Sequence, residues 1–594
     1  MSGRCRWVAV RAKSIVRTRQ VLNFDGQQPS ARTNLRGLMR NEGWTRNLER
    51  PAFGMLVALL LSPVVAQGLW RPLVHVLGPA GTAGHVTGSA FVIGGAMALV
   101  TAWNPARTPL LALGVGALVA IGASFGFSLG LPGLLTLMIV TIAMGFLMRR
   151  LFTQLPTSLD GLAKRHKLLT ALYVLLAVAS VVSSARLSIF IGDSSRVEQQ
   201  VLPGEKFLET HSCLTAYVQA ATLSRQRVDN LYAHKWWHGS HGFPPAEPGV
   251  ENPYRPFVLD YFAYPPPFLL IMAPLAPWEG DFLAQRALWF GLSSLLLVVG
   301  LWVVARWIDG PGAHRVLLLA PIFFGSMPVL ATLQIGNFQI AVVVISVLAM
   351  VAFDRNRHVM GGALLALTIL SKLSPGLLGI VLLVQRRFRS AVWTAGFGLL
   401  FLALSVLTIG VNPIQSFLTH TLPRISSGEA FSFLDDTPFN ILTNMGPFGL
   451  PFKLQLMGFD VGDPWVLARR IGRVYTVVLV VVAILAARRT GDRRTQAITW
   501  MSVLVLAALQ SPFAPLYTTI GLLWAITLLS AEVRRFRDGL ALVFLWLVLT
   551  VIPPIRLSLL VGYTLLQSAF TIGIPIWLIV RTGRSTSNPD AVEP

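Results

Sequence analysis

Between residues 192 and 260 the sequence gathers Asp193, Glu198, Glu205, Glu209, His211, Asp229, His234, His238, His241, Glu247, Glu251 and Asp260. Tyr217, Tyr232, Trp236, Trp237 and Tyr254 are interleaved with them, and Tyr261 follows. Carboxylates and imidazoles among aromatic rings suit a sugar, whose apolar face stacks on rings and whose hydroxyls need acceptors. Either group can also take a hydroxyl proton from within hydrogen-bond reach. Ordinary loop polarity and an interfacial aromatic belt produce the same composition, and for any single residue that plainer reading wins. The series His234-x3-His238-x2-His241 has the residue types of a metal site. Gly239, Gly242 and Pro244 break any helix there and no HExxH pattern is present, so no metal is expected. The pair Asp435-Asp436 is expected to cap a helix rather than hold a cation.

A second chemical feature is a single cation. Lys372 lies in Ser371-Lys372-Leu373-Ser374-Pro375, in the middle of an apolar stretch. A lysine at membrane depth costs about 3 kcal/mol unless it is paired or hydrated, so it is read as functional. Snorkelling to an interface is the bland alternative. There is no P-loop, no GxGxxG after a strand and no DxD-type nucleotide-sugar site. No cytoplasmic segment is large enough to bind a nucleotide. An enzyme of this kind is therefore expected to take its donor from the membrane, without cofactor.

The elements that must position these groups are membrane helices. Of 594 residues 54% are hydrophobic and only 13% charged, and the mean hydropathy is +0.63. A soluble domain would carry about 25% charged residues, so a water-soluble enzyme is excluded. A span needs about 20 apolar residues. Runs of that kind fall near 52–70, 87–103, 108–128, 131–148, 168–191, 283–305, 316–333, 337–353, 390–411, 471–487, 495–510, 515–531, 538–553 and 558–580, with broken stretches at 261–278 and 359–385. The two cysteines, Cys5 and Cys213, give no disulfide framework and no zinc signature.

The net charge of +23 sets topology rather than binding nucleic acid, because Lys and Arg gather in cytoplasmic loops. Residues 1–50 carry eleven Lys/Arg against three acids and read as a disordered cytoplasmic arm, not a cleaved leader, that rests on anionic membrane lipid. The clusters Arg149/Arg150 with Lys164, Arg165 and Lys167, Arg386/Arg387/Arg389, Arg488/Arg489/Arg493/Arg494, Arg534/Arg535/Arg537 and Arg581/Arg584 are placed inside. Four added helices (51–150), a core (166–585) and a cytoplasmic tail (586–594) result, with both termini inside. The loops 192–260 and 412–469 are exported. The parity between 261 and 305 closes only if one segment there is re-entrant. Basic residues flank 359–385 on both sides, so it is expected to form two short helices meeting at a tip around Lys372.

Several motifs then coincide in order. Tyr264-Pro265-Pro266-Pro267-Phe268-Leu269-Leu270, running on to Ala273-Pro274-Leu275-Ala276, resembles a segment of family-87 glycosyltransferases. Gln334-Ile335-Gly336-Asn337-Phe338-Gln339 is similar to their glycine-glutamine-asparagine turn with the order altered. Leu370-Ser371-Lys372-Leu373-Ser374-Pro375 resembles their K-x-x-P break, and Gln510-Ser511-Pro512 a late S/T-P turn. Tyr217-x2-Ala220-Ala221 with Leu231-Tyr232 is like their first exported helix. The resemblance covers roughly 168–555. It implies an all-α polytopic membrane protein, a GT-C-like helix bundle with a long exported first core loop, in a bacterial inner membrane.

The resemblance further implies transfer of a mannose-like hexose from a polyprenyl-phosphate sugar to a lipid or glycan acceptor on the outer face. Lys372 is then the cation facing the donor phosphate, and Tyr217, Tyr232, Tyr264 and Asn337 bind substrate. The family's aspartate before the tyrosine helix is missing from Glu209-Thr210-His211-Ser212-Cys213. His211 and Glu209 are the nearest proton acceptors, with Asp229 or Asp260 as further candidates. Loss of that aspartate also keeps open a catalytically inactive protein of the same fold. A multi-pass transporter is the rival class, since broken helices and intramembrane charge mark transporters too. No internal repeat supports it.

Overall fold

The computed structural model describes residues 42–103, 109–156, 165–202, 206–237, 252–489, 491–553 and 555–582. The chain falls into two units, 1–47 and 48–594. The first lies almost wholly outside the described residues, as do the expected basic arm and the C-terminal tail; the membrane-crossing helices belong to the second.

Every regular element among the described residues is helical. The helices are α1 (Glu42–Leu77), α2 (Ala83–Trp103), α3 (Pro109–Gly126), α4 (Gly130–Gln154), α5 (Lys167–Gly192), α6 (Cys213–Arg225), α7 (Phe282–Ile308), α8 (Gly310–Phe324) and α9 (Met327–Ile335). They continue as α10 (Gln339–Asp354), α11 (His358–Ser371), α12 (Gly376–Val384), α13 (Phe388–Ile409), α14 (Pro464–Ala487), α15 (Arg493–Ala508), α16 (Ile520–Leu529), α17 (Phe536–Thr550) and α18 (Leu557–Thr582). Among the described residues nine helices are long and apolar enough to cross a membrane, and α8 with α9 makes a tenth if the pair, bent by 54°, is one span. The protein is an all-α multi-pass membrane protein. The 26 residues of α5 rise about 39 Å at 1.5 Å each, more than the hydrocarbon thickness. Asp281, Asp463 and Asp492 start α7, α14 and α15 by accepting from Ala284 N, from Trp465 N and Val466 N, and from Thr495 N.

Several expected spans are shorter than a bilayer, α15, α16 and α17 among them, with 16, 10 and 15 residues. α15 and α16 are buried along almost their whole length, so protein rather than lipid surrounds them and bilayer thickness does not set their length. α13 is the opposite case, with Val392, Leu399 and Leu407 exposed along it as lipid-facing residues would be. The acidic pair does not supply the expected N-cap: Thr437 is the N-cap of Pro438–Thr443, while Asp436 ends the 3₁₀ segment Glu429–Asp435 and Asp435 accepts from Trp465 Nε1 at 2.8 Å.

The stretch 261–278 contains no α-helix. Pro266–Trp278 is a 3₁₀ helix, in which Pro266, Pro267, Pro274 and Pro277 supply no backbone N–H. At 13 residues this element is shorter than the helices long enough to cross a membrane. The stretch 359–385 is also two helices, α11 and α12, meeting at Lys372–Pro375. α11 packs most extensively on α13 and α10, so the tip is carried by a firm three-helix layer.

The helices α2–α4 pack together and α2 docks on α5, while α1 meets α2 at Gly94, α4 at Gly54 and α7 at Gly68. Gly68 and Gly291 meet backbone to backbone; a Cβ built on either would lie 2.8 Å from the other's Cα. Trp278 Nε1 donates to Pro72 O at 3.0 Å beside this contact.

Candidate active site

The N-terminus of α6 is tied to the segment 258–261. Val258 N donates to Thr210 O at 2.8 Å, and Asp260 N donates to Thr215 Oγ1 at 3.0 Å. These bonds lay the two segments side by side and bring Asp260 to His211, with 3.9 Å between Oδ2 and Nε2. Tyr261 N fixes the other carboxylate oxygen at 2.9 Å. Cys213 Sγ sits 3.6 Å from His211 Nε2. Burial pushes the Cys213 thiol above its ordinary range, and the Asp260 carboxylate adds to the shift.

The second wall is the turn between α9 and α10. Gly336 ends α9 at φ +71°, a left-handed conformation that favours glycine. A side chain there would also meet Leu214 Cβ at 3.2 Å. Gly336 O accepts from Trp289 Nε1 at 2.9 Å. Asn337 Oδ1 takes the Gln339 N–H at 3.0 Å, which turns the amide nitrogen toward Cys213 Sγ, 3.3 Å away. The turn thus joins the start of α6 to the core.

Lys372 closes the third side. The break after α11 leaves it partly buried, with Nζ donating to Gln339 Oε1 at 2.8 Å. Nζ also lies 5.9 Å from the Tyr264 ring centre and 5.8 Å from that of Tyr517. Among the described residues no carboxylate is within ion-pair distance of this ammonium. Tyr217 OH donates to Tyr264 OH at 2.9 Å and accepts from Phe338 N at 3.4 Å, so the tyrosines link the α6 wall to the lysine.

His211, Tyr217, Tyr264, Asn337 and Lys372 therefore converge from four separate stretches of sequence. Tyr232 is fully buried and reaches the group only through its hydroxyl, which donates to Tyr264 O at 2.8 Å. Glu209 is half-buried on the short helix Lys206–Thr210. Asp229 is exposed in the turn after α6, where its carbonyl accepts from Ser416 Oγ at 3.4 Å. Of the acids considered, Asp260 is the one beside the imidazole. His238 and His241, and the side chain of His234, lie outside the described residues.

Cys213, Gln339 and Tyr517 belong to the cluster without having been singled out by sequence. Gln339 closes the Gln334–Gln339 motif, so a signal for it existed. Tyr517 follows Gln510-Ser511-Pro512 by five residues, with no local feature to distinguish it. Groups of this kind can do three things together: hold an anion on Lys372, stack a sugar on tyrosine rings, and accept a proton on His211 or Asp260.

Residues 262–512 match the model of glycosyltransferase family 87. The match is narrower than the resemblance at both ends: it holds Tyr264, Asn337, Gln339 and Lys372 but leaves out the α6 wall and Tyr517. No curated protein sequence and no solved structure matches the chain.

Proposed function

We infer from the family-87 match that this chain is a membrane glycosyltransferase, and on that premise we propose that it moves a hexose, mannose-like, from a polyprenyl-phosphate sugar to a lipid or glycan hydroxyl on the outer face of the membrane. The observation that carries the reading is Lys372. Its ammonium is held by a neutral amide between two tyrosine rings, with the His211–Asp260 pair joined to the same cluster. A cation that has no counter-ion among the described residues of an apolar bundle favours an anion that arrives with its substrate, and a lipid phosphate can reach it from the bilayer.

In this reading Lys372 neutralises charge on the departing phosphate as the bond to the sugar breaks. Asp260, with His211 beside it, takes the proton of the attacking hydroxyl. Tyr264 and Tyr217 offer ring faces and hydroxyls to the sugar, and Asn337 holds the turn that faces them. Gln339 positions Lys372.

The test is transfer by the purified full-length protein in detergent, with radiolabelled polyprenyl-phosphate mannose and membrane-lipid acceptors. Lys372→Ala is expected to lower turnover roughly 10²–10³-fold, the range for removing one transition-state donor, with helical content unchanged. Absence of transfer from any polyprenyl-phosphate sugar would reject the reading in favour of an inactive protein or, if vesicles carry solute flux, a transporter.

A further inference from the structure

His211, Cys213 and Asp260 each offer one ligand atom, and the three atoms lie within 4.8 Å of one another. The imidazole Nε2 is 3.6 Å from the sulfur and 3.9 Å from a carboxylate oxygen. Zinc bonds of about 2.0–2.3 Å in a tetrahedron place ligand atoms roughly 3.3–3.7 Å apart, so small side-chain rotations bring all three onto one ion. One nitrogen, one sulfur and one oxygen form a borderline-soft set that suits zinc and disfavours magnesium or calcium. The backbone already holds the three in place: Val258 N on Thr210 O, Asp260 N on Thr215 Oγ1 and Tyr261 N on Asp260 Oδ1. The His211 and Asp260 side chains are 14% and 26% exposed, which leaves an ion a way in, while the sulfur is buried beneath them.

We propose that His211, Cys213 and Asp260 bind one zinc ion and that its binding silences sugar transfer. The second half rests on the proposed glycosyltransferase reading; the first does not. Binding replaces the proton on the Cys213 sulfur with the metal, and that proton leaves to solvent. The imidazole nitrogen and the carboxylate oxygen that would receive a hydroxyl proton become metal ligands. Zinc and the acceptor's proton thus compete for the same lone pairs.

The experiment uses full-length protein in detergent, stripped with a chelator and titrated with zinc or cobalt alone. One equivalent is expected to bind tightly, and cobalt to give a near-ultraviolet thiolate charge-transfer absorption. Cys213→Ser should abolish that absorption and weaken zinc binding at least about 10-fold. Cys5→Ser, which removes the other cysteine of the chain, should keep both. Asp260→Asn should retain the absorption but weaken binding, with helical content by circular dichroism checking the fold of each variant. A folded wild-type protein without the absorption, or Cys213→Ser retaining it, overturns the site. In the transfer assay zinc should inhibit, with the half-inhibiting concentration raised at least about 10-fold in Cys213→Ser. Transfer unaffected by zinc at full occupancy overturns the silencing. If no transfer occurs at all, the glycosyltransferase reading fails while the cobalt absorption still decides the site.

Discussion

Among the described residues Lys372 meets an amide and two aromatic rings, so one substitution beside it can change its charge environment. Gln339→Glu would place a carboxylate where the amide oxygen now accepts at 2.8 Å, giving Lys372 a permanent counter-ion. The expected outcome is a folded protein whose KM for the lipid-phosphate donor rises about tenfold or more, since an opposite charge at that distance competes directly with phosphate. Gln339→Met removes the tether without adding charge and is expected to cost less; equal effects would mean that Gln339 serves packing alone. The acids separate in the same way. Asp260→Asn should lower turnover roughly 10²–10⁴-fold, the range for loss of a general base. Asp229→Asn, at an exposed turn, should cost far less. The reverse order would move the base to Asp229 and leave Asp260 as a bond to Tyr261.

At the scale of elements the site depends on breaks rather than on helices. Four interruptions deliver its groups: the N-terminus of α6, the 3₁₀ segment Pro266–Trp278, the left-handed turn at Gly336 and the tip between α11 and α12. The last three are marked in sequence by proline or glycine, which is why those motifs were legible. The docking of α1 on α7 was not. Gly68 and Gly291 look like any glycines in apolar helices until their backbones are seen to touch. Gly291→Leu is expected to destabilise the protein by about 1–3 kcal/mol through overpacking, measured as a lowered Tm in detergent. A Tm unchanged from wild type would show that the two helices separate without cost.

At the scale of the whole molecule, basic residues from several separate helices meet in one region. Arg493 bonds Trp307 O at 3.1 Å and approaches Asp354 at 3.8 Å. Arg494 and Arg581 share Glu532 at 3.2 and 3.1 Å. Asp354, His358 and Arg386–Arg389 line one cavity, and His166 lies against Phe536. Lys372 is carried by the tip of a hairpin, α11 and α12, whose basic ends belong to this group. Under the proposed reading the positive-inside rule would put that region in the cytoplasm and the candidate sugar site outside. Arg389→Cys should accept a membrane-impermeant thiol reagent only in opened vesicles, whereas Gln226→Cys should react in intact cells. Labelling of the pair in the opposite sense would invert the topology and remove the outer-face reading.

Composition alone determined that this chain crosses a membrane many times, because hydrophobic runs of bilayer length have no other solvent. Charge patterning alone anticipated the hairpin around Lys372, since two flanks of like charge must lie on the same side. Tertiary structure decided which groups meet. Asp260 sits 49 residues after His211 in sequence, yet main-chain bonds near Thr210 and Thr215 set the two 3.9 Å apart. Tyr517 comes to Lys372 from a distant turn. Contacts of this kind arise from backbone pairing and packing between separate segments, which leave no periodicity in the sequence to be read.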